Sequence, residues 1–536
     1  MRSVHTRVLT CIVALGLAAL SGCSAENGED AVSAEAGQLR APEENSVGAD
    51  ALEEPAVPEP QGDLPDMAAP GEDDAEAPDG ADSRVTAESV IDNQWVNVAE
   101  QDTSTFSADV DTASYTIVRQ LLQTGQWYQG MGAQARIEEM VNYFDYAWPA
   151  PDESSTRPFQ ITTQVHAAPW DPTHQLAVIG VKAKQAIPTD LGNNIVLLVD
   201  VSGSMQDANK LPLLAQSLSK MVEKLGDRDR VSLVTYADGN ATVLDGVSGS
   251  EHDQIVDALN SLTAGGGTDG SSGLKTAYEI AEKHFVEGGN NRVILATDGD
   301  FNLGTVDVDE LKAWIGEARE RDISISVLGF GMLVNDSIME TIADNGNGNY
   351  FYIDTPSEAE RALVRQFDSA MYTVAKDLKL QVVFNASAVK QYRLIGYENR
   401  TLANEDFADD TVDAGDVGSG HTVTALYELV PGDAETGGGQ DGTWMTVSSR
   451  YKAPDGDASQ LDEFTVEKGE DSTPSTDWRW AVAVTEFGLI LRESEYKGDA
   501  TIEQVKSLAE GAQGEDPLRA EFIELVDEYR LTVAGG

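Results

Sequence analysis

The stretch NIVLLVDVSGSM at 194–205 constrains this chain most. Ile195, Val196, Leu197, Leu198 and Val199 form an unbroken aliphatic run of strand length. Such a run is apolar on both faces and suits the middle of a sheet covered by helices on each side. Polar residues follow at once, as Asp200, Ser202 and Ser204. Ligand sites of open α/β sheets gather at the carboxyl ends of central strands, so a carboxylate and two hydroxyls placed there point to a site. An Asp/Ser-rich loop that merely caps the next helix is the competing reading of the same residues.

Two further stretches bear on that choice. TAGGGTDG at 263–270 puts Thr268 in a glycine-rich loop, and RVILATDG at 292–299 is a second buried-type strand ending in Asp298. The oxygen-bearing side chains of Asp200, Ser202, Ser204, Thr268 and Asp298 then converge from three loops on one sheet edge. Oxygen-only donors suit a hard cation, and a nearly octahedral, partly open set suits Mg²⁺, with Mn²⁺ or Ca²⁺ as alternatives. Here the sequence resembles the von Willebrand factor type A (VWA) domain, whose metal-ion-dependent adhesion site (MIDAS) reads D-x-S-x-S, then T, then D. All these positions are present in order. The resemblance implies a Rossmann-like fold, a divalent metal held by these residues, and capture of a protein partner through an acidic side chain.

The rest of the pattern agrees with an α/β unit. Residues 210–225 are amphipathic, 230–236 form a strand, 241–244 an edge strand, and 253–262 and 271–285 helices. A strand at 292–297, a helix at 308–321 and strands at 323–328 and 349–353 follow. A final helix is expected over 357–375, with Leu363, Phe367, Met371 and Val374 on one face. The alternation predicts an α/β fold with a doubly wound, mostly parallel sheet.

Flanking this unit, helices are expected at 109–124 and 135–144, and strands at 159–165 and 175–183. Further strands are expected at 378–384, 392–397, 422–430 and 444–451, and helices at 478–492, 502–509 and 518–529. Strands on both sides of a self-contained unit suggest a β-sandwich split in sequence, with the α/β domain inserted in it. Two separate β units are the alternative. The aromatic cluster of Tyr143, Phe144, Tyr146 and Trp148 reads as core. The expected division is a signal peptide at 1–22, an acidic linker at 23–84, flanking helices and first strands at 85–190, and the VWA domain at 191–376. A β-rich domain at 377–470 and a helical segment at 471–536 complete it.

The first residues carry an export pattern: Arg2 and Arg7 precede an apolar run, and LSGC at 20–23 resembles a bacterial lipobox with Cys23 as the lipidated residue. The run at 481–491 is too short to span a bilayer and is broken by Glu486. Cys11 and Cys23 are the only cysteines, so the processed chain has no disulfide. The linker is rich in Ala, Glu, Asp, Pro and Gly and is expected to stay disordered; a flexible coil of about 60 residues spans roughly 40–45 Å. A net charge of −56 argues against nucleic acid and against adsorption to anionic lipid. The expected location is the bacterial cell envelope, lipid-anchored, at the outer membrane in a Gram-negative cell.

FSADVDTASYTIVRQLL at 106–122 and TDGDFNLG at 297–304 are similar to a family of bacterial VWA lipoproteins. The competing class is a Mg²⁺-dependent hydrolase, which needs a base, a second metal or an oxyanion pocket. His166, His174, His252, His284 and His421 are isolated and lack metal-ligand spacing. Asp300 lies near the signature as a candidate base, with loop capping as its other reading. GGGTDGSSGLKT lacks the Gly-Lys pair of a phosphate-binding loop, since Leu274 separates Gly273 from Lys275. A structural envelope lipoprotein is the third class. The expectation is a non-enzymatic, metal-dependent protein-binding module, touching the membrane only through its lipid and binding no nucleic acid.

Overall fold

The computed structural model describes residues 91–533, apart from 110, 129, 153, 186–191, 300–307, 332–335, 433–441, 455, 457 and 469–472. The expected signal peptide, Cys23, the linker at 23–84 and Asp300 lie outside the described residues.

The chain begins with short strands β1 (Val96–Asn97) and β2 (Thr103–Ser107), helices α1 (Ala113–Gln123) and α2 (Ile137–Asn142), and long strands β3 (Phe159–Ala168) and β4 (Asp171–Ala183). The α/β unit follows: β5 (Asn193–Asp200), α3 (Leu211–Val222), β6 (Arg230–Tyr236), β7 (Asn240–Ser248), α4 (His252–Asn260) and α5 (Gly270–Lys283). It continues with β8 (Asn290–Thr297), α6 (Val308–Arg319), β9 (Ile323–Phe330), α7 (Asp336–Asn345), β10 (Tyr350–Ile353), α8 (Pro356–Glu360) and α9 (Phe367–Met371). Strands β11 (Thr373–Phe384), β12 (Val389–Ile395), β13 (Thr401–Leu402), β14 (Gly415–Gly418), β15 (Thr422–Pro431), β16 (Thr443–Lys452) and β17 (Ser459–Glu467) come next. Helices α10 (Thr476–Leu491), α11 (Ile502–Glu510) and α12 (Pro517–Val533) close the chain.

The central sheet has the order β10-β9-β8-β5-β6-β7, parallel except for the edge strand β7. Because side chains alternate along a strand, β5 feeds two cores. Ile195, Leu197 and Val199 pack with Leu214, Leu218 and Met221 of α3, while Val196 and Leu198 pack with Leu274, Ala277 and Ala281 of α5. This is a doubly wound α/β arrangement, and it explains why the aliphatic run has no polar face.

Strands from both ends of the chain build the sandwich. One sheet runs β1-β12-β15-β4-β3 and the other β13-β2-β11-β16-β17, with β14 also on β11. The α/β unit is therefore inserted between strands that pair with each other. In β4, Ala177, Ile179 and Val181 face the sandwich interior, while Leu176 and Val178 face a helical layer of α1, α2 and α10–α12. The expected aromatic core forms there: Tyr143, Phe144, Tyr146 and Trp148 are all buried. Trp148 packs against β4 where Gly180 leaves room, since a Cβ at that position would fall 2.5 Å from the indole. The run at 481–491 belongs to α10 and is buried in this layer; among the described residues no helix is long and apolar enough to cross a membrane.

The DVDTAS segment after β2 fastens the inserted unit. Asp111 Oδ1 accepts from the Tyr350 amide at the start of β10, and Asp109 Oδ1 accepts from the Asp111 amide. Arg400, from the sandwich, donates to Asp109, Asp111 and Asp344 at 3.2, 3.2 and 2.8 Å.

The structure corrects several expectations. The helix expected over 357–375 is broken: α8 ends at Glu360, a π turn spans Arg361–Arg365 with Gln366 N–H bonded to Arg361 C=O, and α9 stops at Met371. Residues from Thr373 instead begin β11, earlier than the expected 378, where Thr373 and Ala375 pair with β14. Strand pairing with a distant segment overrides the helical spacing of Val374. Strands β2 and β17 and helix α7 were not foreseen.

Candidate metal centre

β5 and β8 are neighbours in register, Val199 opposite Ala296, so Asp200 ends its strand level with Thr297 and Asp298 follows one residue later at the carboxyl edge of the sheet. Both are buried. Asp200 is held on every side. Its Oδ1 accepts the Ser202 amide at 2.8 Å, and its Oδ2 accepts the hydroxyls of Tyr236 at 3.2 Å and Thr297 at 3.1 Å. Thr297 in turn accepts the Gly299 amide. Burial pushes the Asp200 carboxyl above its ordinary value, opposed by its bonds from Ser202 and Thr297, with Asp298 adding to the rise. Burial and Asp200 push the Tyr236 phenol well above its ordinary value, so it stays a donor.

The D-x-S-x-S loop leaves β5 as a single 3₁₀ turn over Gly203–Gln206. That turn brings the Ser202 and Ser204 hydroxyl oxygens to 3.0 Å. The glycine-rich loop is stitched to it. Gly203 N–H donates to Gly266 C=O and Gly265 N–H to Val201 C=O, while Gly267 N–H donates to Asp238 Oδ1 at 2.6 Å. Gly266 has φ +86°, and a Cβ there would meet Asp238 Oδ2 at 2.7 Å, so glycine is required on both counts. Just beyond, the Asp269 amide bonds Ala237 C=O and its side chain caps α5 through the Ser272 amide. Thr268 thereby lies between two anchored neighbours on the loop tied to Val201 and Gly203.

The structure thus brings the loops that carry Asp200, Ser202, Ser204, Thr268 and Asp298 to one edge of the sheet. It also adds participants that sequence reasoning missed. Tyr236 and Thr297 orient Asp200, and Asp238 holds the glycine loop. Lys210, in the turn before α3, donates from Nζ to Asp298 Oδ2 at 2.9 Å and to Ser204 C=O at 3.0 Å. Thr297 adjoins Asp298 in the TDG motif, whereas Lys210 belongs to no motif.

Elsewhere the histidines are structural: His174 bonds Glu428, His252 bonds Leu225 C=O, His284 bonds Asp245, and His166 meets Trp478 edge to face. His421 is half-buried against Ser369, and desolvation lowers its pKa to about 4. Lys275 stacks its ammonium 3.8 Å over the Trp314 ring.

All donors at the edge are hard oxygens. Among the described residues no cluster of three or more His, Cys, Asp or Glu side chains is placed to hold a metal, so any cation here must use the hydroxyls as well as the carboxylates. The Ser202 and Ser204 hydroxyls share a hydrogen bond of 3.0 Å, a separation that adjacent corners of an octahedron with Mg–O near 2.0–2.1 Å, about 2.9 Å apart, also accommodate.

Comparison with known proteins yields matches along most of the chain. The model described as "von Willebrand factor type A domain" covers residues 194–366, "von Willebrand factor" covers 83–178, and "Uncharacterized protein YfbK, C-terminal" covers 369–531. "Uncharacterized protein YfbK" of Escherichia coli (strain K12) is 40% identical over 461 residues, 81% of this chain and 79% of that protein. Inter-alpha-trypsin inhibitor heavy chain H4 of Sus scrofa is 25% identical over 224 residues, 40% of this chain and 22% of that protein. Among solved structures, a von Willebrand factor type A protein from Catenulispora acidiphila aligns over 69% of this chain and 91% of its own, with 17% identity and a TM-score of 0.41.

Proposed function

The chain belongs to the family of the Escherichia coli protein YfbK and carries a von Willebrand factor type A domain, and from that premise we propose that it is a divalent-metal-dependent protein-binding module. VWA domains typically mediate protein–protein contacts and commonly bind a divalent metal. In this reading Asp200, Ser202, Ser204, Thr268 and Asp298 hold Mg²⁺ or Mn²⁺. The observation that carries it is the placement of two buried carboxylates and a pair of serine hydroxyls at the carboxyl edge of one mostly parallel sheet.

The metal, when bound, supplies a coordination position for an anionic oxygen. The chain's own residues do the rest. Tyr236, Thr297 and the Ser202 amide fix Asp200, so little ordering remains to be done on binding. The stitched loops hold Ser202, Ser204 and Thr268 at the rim. A partner's Asp or Glu then completes the shell, which is recognition without bond making, and the module is not an enzyme. The LSGC pattern supports lipid attachment at Cys23 and a place in the bacterial cell envelope, at the outer membrane of a Gram-negative cell.

Affinity capture from envelope extract tests this, using the full chain in Mg²⁺, in EDTA, and as Asp298→Ala. A partner retained only by the wild type in Mg²⁺ supports the reading. The same proteins in all three conditions, or none, refute it.

A further inference from the structure

We propose that Lys210 sets the ligand specificity of this site, as a fixed counter-ion that leaves the metal-loaded site with surplus positive charge. The inference rests on the metal-binding reading above and goes beyond it.

Lys210 is placed with care by its surroundings. Its amide bonds Asp207 C=O and its carbonyl accepts Leu214 N–H, so the backbone is anchored at both ends. The stem runs over Gly331, just past β9, where φ is +92° and a Cβ would stand 2.5 Å from Lys210 Cε. A side chain there would push the lysine aside; glycine gives it a channel. The ammonium ends on two acceptors, Asp298 Oδ2 and Ser204 C=O. The lysine side chain is 18% exposed and that of Asp298 2%, so water screens the pair poorly.

The charge count follows from these contacts. Asp200 and Asp298 contribute two negative charges and Lys210 one positive, while the groups seen to bond Asp200 are a phenol, a hydroxyl and an amide, all neutral. These three groups together carry one net negative charge, too little to neutralise a divalent ion. Once loaded it carries one surplus positive charge. A carboxylate from the partner brings the total to zero, whereas a neutral amide or hydroxyl leaves the surplus in a half-buried site. Lys210 thus weakens binding of the metal alone and strengthens the preference for an anionic ligand, so that metal and partner bind cooperatively.

The test is titration of the full chain with Mn²⁺ alone, reading free Mn²⁺ by electron paramagnetic resonance, and again with acetate present as the simplest carboxylate. Wild type, Lys210→Met, Lys210→Gln, Lys210→Arg and Asp298→Ala are compared, with near-ultraviolet circular dichroism as the check on folding. A unit charge beside a divalent ion changes affinity by at least about tenfold even at a high effective dielectric. Lys210→Met and Lys210→Gln are expected to bind Mn²⁺ about tenfold tighter or more, and to lose the acetate-induced gain that wild type and Lys210→Arg show. If the neutral variants bind Mn²⁺ no tighter than wild type while Asp298→Ala loses it, the role assigned to Lys210 is overturned and the metal site stands. If neither wild type nor the neutral variants bind Mn²⁺ in a manner that Asp298→Ala abolishes, the metal reading itself falls, and this inference with it.

Discussion

Replacing Glu358 by alanine removes the hub through which α8 of the inserted unit is bound to the flanking helices. Glu358 is 2% exposed. Its Oε1 accepts two bonds from Arg361, at 2.9 and 2.7 Å, and its Oε2 accepts the Tyr143 hydroxyl at 2.7 Å and, more weakly, Arg119 at 3.5 Å. Arg119 keeps Asp354 and Glu521 after the substitution, so its charge stays paired. Arg361 loses its carboxylate and retains Thr112 Oγ1 and the face of Tyr143. Stranding one member of a buried ion pair costs about 3–5 kcal/mol. At about 2–4 °C per kcal/mol for a unit of 150–250 residues, Tm falls by roughly 6–20 °C. Glu358→Gln keeps an acceptor but not the charge and falls between.

The pH dependence of this pair has a definite sign. Burial alone would raise the Glu358 pKa, but Arg361, Arg119 and the hydrogen bonds hold it below its ordinary 4.5. A depressed carboxylate pKa stabilises the fold above the unfolded value, and that contribution is lost as pH falls through the folded one. The gap between wild type and Glu358→Ala should therefore be full at pH 7 and shrink below pH 4.5. Differential scanning and urea unfolding measure both effects. A loss under about 1 kcal/mol at pH 7, well short of the cost of breaking a buried pair, would refute the reasoning.

Two further outcomes follow from other buried groups. Tyr236→Phe deletes the hydroxyl on Asp200 Oδ2 while keeping the packing, and should lower Mn²⁺ affinity about tenfold with little change in Tm, by analogy with other outer-shell partners; unchanged affinity on titration would show that Thr297 and Ser202 suffice. Burial raises the Glu486 pKa to about 8, so the folded state holds a proton that the unfolded state has released above pH 4.5. Stability then falls as pH rises from 4.5 toward 8, and Glu486→Gln should match wild type at pH 4 and exceed it in urea midpoint at pH 8, an advantage whose absence would mean the carboxylate ionises in place.

The sequence revealed the central sheet because its strands are aliphatic on both faces and its donors follow them in fixed register. Asp200 and Asp298 were legible for that reason, since each directly follows or ends such a strand. Strand β2, TSTFS, was not, because Phe106 is its one large apolar residue and its pairing with β11 joins distant parts of the chain. Strand β17 lies at a sheet edge, where Leu461 is exposed and the alternation is mostly polar, so it lacked a hydrophobic signal. The break after Glu360 was hidden for another reason. Leu363, Phe367 and Met371 do share a face and do pack on one core, but the buried Arg361–Glu358 pair sits at the π turn and strand pairing takes over at Thr373. Lys210 was invisible because its role depends on Gly331, which reaches it only through the fold.

The most direct measurement of the central claim is a crystal structure of the full chain grown in Mn²⁺, with anomalous data collected at the manganese edge. The account predicts one strong peak at the carboxyl edge of β5, with the Ser202 and Ser204 hydroxyls as direct ligands at about 2.1–2.2 Å, close to the Mg–O distance, and no such peak in Asp298→Ala. A site without manganese in the wild type, or a peak that survives Asp298→Ala unchanged, would contradict it.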